Sequence, residues 1–384
     1  MSDLLPAALE ILDRLVGFDT VSRNSNLQLI EYVRGYLDSH GIGYVVLPSP
    51  DGTKANLFVT IGAADRPGIV LSGHTDVVPV DGQNWTHDPF ALTRVGDRLY
   101  GRGTADMKGY VACMLALAPV LQRANLQAPV HLAISYDEEV GCFGVHGIVA
   151  HMQAIGLAPS AALIGEPSRQ SIVNGHKGST GMLTRVGGLS VHSSRPDRGV
   201  NAIFYATDII AWLRERAAVL AAAPDSVGIF EPPYTTVSVG IVHGGSARNA
   251  IPGDCRIEWD IRATRPGAVA AVVGDLDAFV TASVLPAMRA RHADAFVTTT
   301  MIYDVPPLVP QPNCAAEALA KSLTGANSVG TVAYASEAGV FQAAGIPSVI
   351  VGPGDIAQAH TADEWIEVGQ IAGCLALLQK LAAS

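Results

Sequence analysis

Short apolar runs alternate with helix-like stretches over the first 175 residues of the chain. A sheet covered by helices on both faces buries its strands completely, and such strands are near-continuous apolar runs. The runs NLFVTIG, PGIVLSGH, PVHLAISYDEE and AALIGEP have this character. The stretches between them, DMKGYVACMLALAPVLQR and EVGCFGVHGIVAHMQAIG, have helical patterns. This order predicts an α/β fold with a central sheet flanked by helices.

The pattern changes after the stretch IVNGHKGS. TGMLTRVGGLSVHSS, YTTVSVGIVHGGS and DCRIEWDIRAT alternate apolar and polar residues, as strands do when only one face of a sheet is buried. In the last of these, Cys255, Ile257, Trp259 and Ile261 are predicted to point the same way. This part of the chain therefore predicts a single-layer sheet.

Helical patterns at 199–222 and 266–291 accompany these strands, and the α/β pattern returns after RARHADAF with the strand PSVIVG and a closing helix. The chain is long enough for two domains. We therefore expect a discontinuous α/β domain with a smaller α+β domain inserted into it. The predicted bounds are 1–176 and 293–384 for the α/β domain, and 177–292 for the inserted one.

Composition narrows the class of function. Of the 384 residues, 49% are apolar and 16% are charged, which is typical of a folded protein with large cores. The net charge is −10 and there is no basic stripe, which argues against a nucleic-acid partner. An acidic protein is more compatible with a neutral or cationic small substrate.

Sequence features also bear on location. The longest uncharged stretch, 140–165, contains five glycines, a proline and two histidines, so we predict no membrane span. The N-terminal stretch MSDLLPAALEILDRLVGF has the pattern of an amphipathic helix rather than of a signal peptide. The five cysteines are scattered and form no CxxC pair, which is typical of thiols in a reducing compartment. We therefore expect a cytoplasmic protein.

Polar side chains collect at the ends of the predicted α/β strands, where open sheets of this kind bind ligands. GIVLSG is followed by a histidine and an aspartate, HLAISYDEE ends on two glutamates, and AALIGE ends on one. A further aspartate lies in GRGTADMKG, and a second histidine in GPGDIAQAHTADE. The collected residues are His74, Asp76, Asp106, Glu138, Glu139, Glu166 and His360.

This collection has the ligand types of a two-metal hydrolytic site. Imidazole and carboxylate suit Zn(II), Co(II) or Mn(II), and one carboxylate can bridge two ions. A further carboxylate that is not a ligand must take a proton from water. Adjacent residues at a strand end, such as Glu138 and Glu139, can point in different directions and so divide these tasks.

Each fragment alone also has an ordinary structural interpretation. Asp76 alone could cap a helix, the glutamate pair could form a solvated turn, and Thr361 with Glu364 could form a capping box. Together the fragments favour a metal site, because one sheet edge would otherwise have gathered all of them by accident.

The segments SGHTDVVPVDG, GRGTADMKG, DEEVGCFG, GEPS, GGLSVHSSRPDRGVNAI and GPGDIAQAHTADE resemble the zinc-dependent amidohydrolase and metallopeptidase family that includes aminoacylases and desuccinylases. Within it, GHKG, SARNAIPGDC, ASEAG and GPGDIAQAH are most similar to the acetylornithine deacetylases. The resemblance implies a di-zinc peptidase-like fold with a mixed sheet, in which the inserted domain is a lid that carries the dimer contacts. It also implies two divalent ions, Zn(II) or Co(II), and a homodimer.

The resemblance implies a role for each collected residue. His74 and His360 would each bind one ion, Asp106 would bridge both, and Glu139 and Glu166 would complete the two shells. Glu138 would be the general base and later the acid. Asp76 would hydrogen-bond the free nitrogen of His74. His192 of the inserted domain would stabilise the oxyanion, in a partner subunit's site. A cis peptide bond is implied between Asp106 and Met107.

The implied reaction is hydrolysis of the N-acyl amide of an amino acid, with N2-acetyl-L-ornithine giving L-ornithine and acetate in arginine biosynthesis. Arg262 matches a residue that binds the substrate carboxylate in relatives, and it could instead form a surface salt bridge. Asn249 and Lys177 are further candidates for substrate contacts. Glu337 would favour a cationic side chain or, alternatively, complement a helix dipole. Competing hypotheses are another N-acyl-amino-acid amidohydrolase or a dipeptidase of the same family, and a non-catalytic metal-binding scaffold.

Overall fold

The computed structural model of the chain describes residues 4–63, 66–225 and 228–382. These residues form two compact units. The large unit comprises the residues up to Gly175, Leu308–Thr331 and the residues from Ser336 onward. The small unit comprises His176–Pro307 and Val332–Ala335. The chain thus passes from the large unit to the small one after Gly175, returns at Leu308, and contributes Val332–Ala335 to the small unit as well.

The strands, in chain order, are β1 (Tyr44–Pro48), β2 (Ala55–Ile61), β3 (Ile69–His74), β4 (Thr93–Val95), β5 (Arg98–Tyr100), β6 (Val130–Ser135), β7 (Ala161–Pro167), β8 (Val173–His176), β9 (Ser179–Gly187), β10 (Thr236–Gly244), β11 (Asp254–Arg262), β12 (Phe296–Val305), β13 (Gly330–Val332), β14 (Ser348–Gly352) and β15 (Trp365–Glu367). The α-helices are α1 (Leu4–Val16), α2 (Leu27–Ser39), α3 (Lys108–Arg123), α4 (Phe143–Ala154), α5 (Ala202–Ala222), α6 (Ala268–Phe279), α7 (Leu285–Arg289), α8 (Ala315–Thr324), α9 (Glu337–Ala343) and α10 (Val368–Leu378).

The large sheet has the order β1-β2-β6-β3-β7-β14-β8-β13. Strands β6, β3, β7 and β14 run parallel to one another, whereas β1, β2 and β8 pair antiparallel with their neighbours. The sheet is therefore mixed and confirms the predicted fold class. Its four central parallel strands end at the same edge, and the segments that follow them are the ones that carry the predicted ligands.

Helices cover this sheet because its central strands are apolar on both faces. Every residue of β6 and β7 is buried, as expected for strands between two helical layers. Helix α3 is apolar around its whole circumference and packs against α1 and α10. A helix of that kind is stable only inside a core, which fixes the position of its first residues beside the strand ends.

The small unit contains an antiparallel sheet of order β10-β11-β9-β12. The prediction for β11 is confirmed, since Cys255, Ile257, Trp259 and Ile261 are all buried in one core. The predicted end of the inserted domain at 292 was too early. Strand β12 pairs with β9 in this sheet, so the small unit continues to Pro307. Strand β12 lies beyond the predicted end of the domain, and its pairing with β9 assigns it to the small unit.

One helical stretch in the described residues, Ala268–Arg289, is long and apolar enough to cross a membrane by length and composition alone. It consists of α6, a π-helical segment (Val280–Val284) and α7. Its side chains Val272, Leu276 and Met288 are buried in the core of the small unit. The core helix of a folded unit passes the same test, so this stretch carries no further conclusion.

Buried His131 on β6 provides a prediction about stability. Its ring stacks on Phe58, with centroids 5.5 Å apart, and its Nδ1 lies 3.0 Å from Thr60 Oγ1. Burial lowers its pKa from 6.5 to about 4. Between these values the unfolded chain binds a proton that the folded chain does not, so the free energy of unfolding falls as the pH drops through this window.

We expect His131 to account for about 2 kcal/mol of the stability lost between pH 7 and pH 5. Urea unfolding of wild type and His131→Leu, with a chelator present at both pH values, measures this difference. His151→Leu is the matched control, because His151 also contacts the Phe58 ring, with centroids 5.5 Å apart. An equal loss of stability in the His131→Leu protein would contradict the assignment.

Candidate metal centre

Four parallel strands and one helix of the large unit bring the predicted ligands together. His74 is the last residue of β3, and Glu166 lies near the end of β7. Glu138 and Glu139 follow β6, and His360 lies in the loop after β14. Asp106 precedes α3. The sequence-based placement of these six residues at one sheet edge agrees with their positions in the structure.

Asp106 lies between the two histidines. Its Oδ1 is 3.1 Å from His74 Nε2, and its Oδ2 is 3.2 Å from His360 Nε2. The two oxygens of one carboxylate therefore face two different imidazoles, which is the arrangement required of a bridging ligand. The peptide bond between Asp106 and Met107 is cis, which confirms what the family resemblance implied.

The remaining carboxylates divide between the two histidines. Glu139 Oε2 is 3.1 Å from His360 Nε2, and Glu166 Oε1 is 3.9 Å from His74 Nε2. Among the described residues, Glu139 Oε1 and Glu166 Oε1 are buried and have no hydrogen-bond partner. Buried carboxylate oxygens without a partner are costly unless a cation binds them. The donor set thus fits divalent metal ions, for which imidazole and carboxylate are suitable ligands.

Glu138 lies beside the same cluster on the His74 side. Ligand atoms of His74, Glu138 and Glu166 all lie within 4.8 Å of one another, and so do those of His74, Asp106 and Glu139. The thiol of Cys142 is 3.5 Å from Glu138 Oε1. Both adjacent glutamates therefore lie near His74, and Glu139 also contacts His360 at 3.1 Å.

Electrostatics in the cluster favour a cation. Burial, followed by the charges of neighbouring carboxylates, raises the pKa of Glu166 well above its ordinary value, and burial also raises the pKa of Glu138 against the charge of His74. Burial, with the charge of Asp106, raises the pKa of Glu139 to about 7. Asp106 is the exception: burial would raise its pKa, but hydrogen bonds from His360 and His74 hold it below the ordinary range. The carboxylates therefore compete for positive charge, which divalent ions would supply.

Asp76 contacts more of the site than the sequence predicted. His74 Nδ1 lies 2.9 Å from the main-chain oxygen of Asp76 and 3.5 Å from its Oδ1. The carboxylate also accepts hydrogen bonds from the backbone N–H groups of Glu138, at 3.0 Å, and Glu139, at 3.2 Å. Asp76 therefore orients the glutamate pair in addition to contacting His74.

Ser22 and Lys54, which the sequence does not mark as site residues, support the turn that carries Glu138 and Glu139. Ser22 Oγ donates a hydrogen bond to Asp76 Oδ2 at 2.7 Å. Lys54 Nζ donates to the carbonyl of Ser22 and to Asp137 Oδ1, next to the glutamates. The sequence holds only an indirect signal for them, a serine after an N-terminal helix and a lysine in the turn GTKAN before a strand.

The position of Glu337 differs from the predicted substrate contact. Its side chain is 1% exposed, at the first turn of α9. Ser72 Oγ donates to its Oε2 at 2.8 Å, and Ser135 Oγ donates to its Oε1. Both oxygens are thus occupied by hydroxyl groups on β3 and β6. Glu337 ties these strands together behind the cluster rather than facing a substrate, and its place in the first turn agrees with the alternative of a helix-dipole charge.

The other four predicted residues belong to the small unit. Lys177 is 2% exposed and donates to the carbonyl of Tyr234 at 3.0 Å, so its ammonium group already has a buried partner. This differs from the expected substrate contact. Arg262 is half-exposed, and its Nε donates to Asp260 Oδ2 at 2.9 Å, the salt bridge that the sequence left open.

His192 and Asn249 lie on neighbouring segments of the small unit. His192 forms a β-bridge with Ala250, and the Ser193 N–H donates to the carbonyl of Asn249 at 2.9 Å. Both side chains are exposed. His192 Nδ1 accepts the backbone N–H of Ser194 at 3.2 Å and lies 2.8 Å from Ser194 Oγ. The proton of the neutral ring is therefore on Nε2, which leaves that nitrogen as a donor.

An α/β core in which two histidines and several buried carboxylates meet at the ends of parallel strands defines a metal-dependent hydrolase. The sequence model of peptidase family M20/M25/M40 matches residues 70–384. The chain belongs to this family.

Acetylornithine deacetylases are among the relatives of this chain. The acetylornithine deacetylase of Klebsiella pneumoniae (strain 342) is 33% identical over 374 residues, which cover 96% of this chain and 94% of the relative. The acetylornithine deacetylase of Pectobacterium atrosepticum is 34% identical over 375 residues, with the same coverage. The chain is thus an M20 hydrolase most similar to acetylornithine deacetylases, acting on small amino-acid derivatives.

Solved structures support the fold. Aminopeptidase PepT from Bacillus cereus superimposes with a TM-score of 0.73 at 18% identity, covering 99% of both chains. An M20 family metallo-carboxypeptidase, Sso-CP2 from Sulfolobus solfataricus, gives 0.73 at 17% identity, covering 98% of both chains. A dinuclear metal-binding M20 peptidase, YXEP from Bacillus subtilis, gives 0.69 at 16% identity, covering 100% of this chain and 98% of that one.

Proposed function

We propose that this chain hydrolyses the N-acyl amide of an amino acid, with N2-acetyl-L-ornithine as substrate and L-ornithine and acetate as products, a step of arginine biosynthesis. The observation that carries the proposal is Asp106, whose two oxygens face His74 and His360 at 3.1 and 3.2 Å. Similarity to acetylornithine deacetylases at 33–34% identity supports the choice of substrate.

We propose Zn(II) or Co(II) at both positions, because histidine and carboxylate ligands suit these ions. His74 and Glu166 would hold one ion, His360 and Glu139 the other, and Asp106 both. When bound, two such ions polarise an amide carbonyl and lower the pKa of a water molecule to near neutrality. The Bacillus subtilis peptidase YXEP is a dinuclear metal-binding protein of this family, which supports two ions rather than one.

Glu138 is the proposed general base and acid. It takes the proton of the attacking water and gives it to the leaving nitrogen, which lets the tetrahedral species collapse to amine and acid. Burial raises the pKa of Glu138 above the ordinary range of a carboxyl group, which makes the carboxylate a stronger base toward water. Asp76 accepts the N–H of Glu138 and so holds its backbone in place.

His192 is the proposed donor to the oxyanion. Because its Nδ1 accepts the Ser194 N–H, its Nε2–H is available to an oxygen that gains negative charge during the reaction. Arg262, with Asn249, is the proposed contact for the substrate α-carboxylate, since the guanidinium has N–H groups besides the one bound to Asp260.

A substrate panel tests the proposed function. Protein loaded with Co(II) or Zn(II) is assayed for turnover on N2-acetyl-L-ornithine, N-acetyl-L-methionine and a dipeptide. We expect the highest kcat/KM on N2-acetyl-L-ornithine. A preference for N-acetylmethionine or for the dipeptide would assign the chain to another activity of the family, and no turnover on any of them would favour a non-catalytic scaffold.

We also propose a homodimer formed through the small unit. Strand β10 is an edge strand, and its Ile241 and Val242 are 47% and 46% exposed. Phe204 on α5 is 69% exposed. An exposed apolar edge strand is a template for pairing with a second copy. The cysteines Cys113, Cys142, Cys255, Cys314 and Cys374 are free thiols, which supports the cytoplasm as the location.

Subunit mixing tests whether His192 acts in the partner's site. His192→Ala and Glu138→Ala proteins are each expected to be inactive. In a mixed dimer, one site has an intact Glu138 and an intact His192 only if the histidine crosses between subunits. We expect mixing to recover up to about a quarter of wild-type activity for random exchange of dimers. Absence of recovery, with exchange demonstrated by native mass spectrometry, would place His192 in its own subunit's site or outside catalysis.

A further inference from the structure

A buried ion pair lies next to the metal centre and has no role in the scheme above. Arg102 Nη1 and Glu364 Oε2 are 2.8 Å apart, and the two side chains are each 1% exposed. Removing two charges from water is unfavourable, so a buried pair of this kind is weak evidence for a role in stability. The role of the Arg102–Glu364 pair must therefore be sought in the other contacts of these two side chains.

Glu364 holds the backbone that carries the bridging ligand. Its Oε1 accepts the N–H groups of Ala105, at 2.9 Å, and Asp106, at 3.1 Å. Hydrogen bonds to a charged acceptor are stronger than those to a neutral one. One carboxylate thus connects Arg102 to the peptide group of Asp106.

Arg102 holds the loop that carries His360. Its Nη1 donates to the carbonyl of Thr361 at 3.2 Å, and its Nη2 donates to Gln83 Oε1. Gln83 Nε2 in turn donates to the carbonyl of His360 at 2.9 Å. The guanidinium also lies over the ring of Trp85, 4.9 Å from its centroid. Both carbonyls at the His360 turn are therefore bound, directly or through Gln83, to one side chain.

We propose that the Arg102–Glu364 pair is a positioning unit that sets the distance between His360 and Asp106, and thereby the affinity for the metal ion these two ligands share. His360 needs such support, because its side chain is 51% exposed and its backbone has a left-handed φ of 61°. His74, in contrast, is fixed by a buried strand. The inference rests on the proposed function, since it concerns the metal ions of that site.

The planar fork of arginine explains why this residue type is needed. Its two terminal nitrogens reach three acceptors, on Glu364, Thr361 and Gln83. A lysine has a single nitrogen on a flexible stem and cannot meet the same geometry. Arg102→Lys should therefore retain the charge and still weaken the positioning.

Metal binding to the protein stripped with a chelator is the primary test. Co(II) is titrated against a competing chelator, and both dissociation constants are followed by visible absorption. We expect Arg102→Met to weaken one of the two constants by about 10–100-fold, the range for residues that orient metal ligands, and Arg102→Lys to lie in between. Saturating Co(II) should restore most of the turnover of Arg102→Met, which a simple loss of folding would not permit.

Arg98→Met is the matched control. Arg98 is exposed at the start of β5 and lies over the ring of Trp365 on the paired strand β15, 4.0 Å from its centroid. The control should bind both Co(II) ions as wild type does, and equal weakening in it would overturn the proposal. If Arg102→Met does not fold, Gln83→Met decides, since it removes the link to His360 and keeps the buried Arg102–Glu364 pair intact.

Unchanged constants in the folded Arg102 variant, or in Gln83→Met where that variant decides, would also overturn the inference while leaving the proposed function intact. A wild-type protein that binds fewer than two Co(II) ions would overturn both.

Discussion

The Asp106→Asn protein should bind neither metal ion tightly and should have almost no activity. The carboxylate faces His74 with one oxygen and His360 with the other, so the substitution removes a negative charge from both positions at once. Removing one partner of a buried charge pair costs about 3–5 kcal/mol, which corresponds to a loss of about 10²–10⁴-fold in affinity. Metal content after dialysis, measured by mass spectrometry of the metals, and turnover are the two readouts.

Replacing Glu139 or Glu166, each the proposed ligand of a single ion, should reduce metal binding less than replacing Asp106. Glu139→Gln and Glu166→Gln should each weaken mainly one ion, because the ion pair of Glu139 is with His360, at 3.1 Å, and that of Glu166 is with His74, at 3.9 Å. Asp81→Asn is the matched control: it removes the same charge from an exposed pair with Arg23, and it should leave metal content unchanged. If Asp106→Asn keeps two tightly bound ions, the bridging role is wrong and the centre must be built differently.

Much of the metal centre could be predicted because strand ends are readable in sequence. His74, Glu166 and the glutamate pair each lie at or just after the end of an apolar run, and a buried strand is the interpretation that these runs favour. Parallel strands end at a common edge, so the residues after them meet in space although they lie far apart in the chain. The same argument applies to His360, which lies in the loop after the buried strand β14.

The residues that position these ligands could not be predicted in the same way. Ser22 reaches Asp76 across 54 positions, and Arg102 reaches Glu364 across 262. No periodicity links such pairs, because a loop side chain contacts whatever the fold places beside it. The local sequence allows a capping box of Thr361 and Glu364, yet the Glu364 carboxylate accepts hydrogen bonds from the amides of Ala105 and Asp106 instead.

Burial explains why two predicted substrate contacts differ in the structure. Glu337 and Lys177 are charged residues in polar motifs, and charged side chains are rarely fully buried. In this chain both are buried, because hydroxyl groups of Ser72 and Ser135 satisfy one and the Tyr234 carbonyl the other. A local motif does not show whether a charged side chain has hydrogen-bond partners inside the protein. The sequence therefore could not distinguish a buried, hydrogen-bonded charge from one that contacts a substrate.

The second large effect concerns Glu138, whose position allows two interpretations. As a general base it touches no metal, whereas its closeness to His74 and Glu166 would also permit it to be a ligand on that side. Glu138→Gln separates the two, because glutamine has the same shape but cannot accept a proton from water at neutral pH. We expect turnover to fall by about 10²–10⁴-fold, the usual contribution of general acid–base catalysis.

The deciding measurement is metal content beside turnover. For a base, Glu138→Gln keeps both ions and its substrate affinity, and kcat falls while KM changes little. For a ligand, one ion is lost and added Co(II) partly restores activity. Cys142→Ala is the matched control, since it removes the thiol 3.5 Å from Glu138 Oε1 without changing the carboxylate, and it should retain most of the turnover. Loss of metal in Glu138→Gln but not in Glu139→Gln would mean that the two glutamates have been assigned the wrong way round. In the proposed mechanism one of these neighbours binds a metal ion, and the other binds none and transfers the proton.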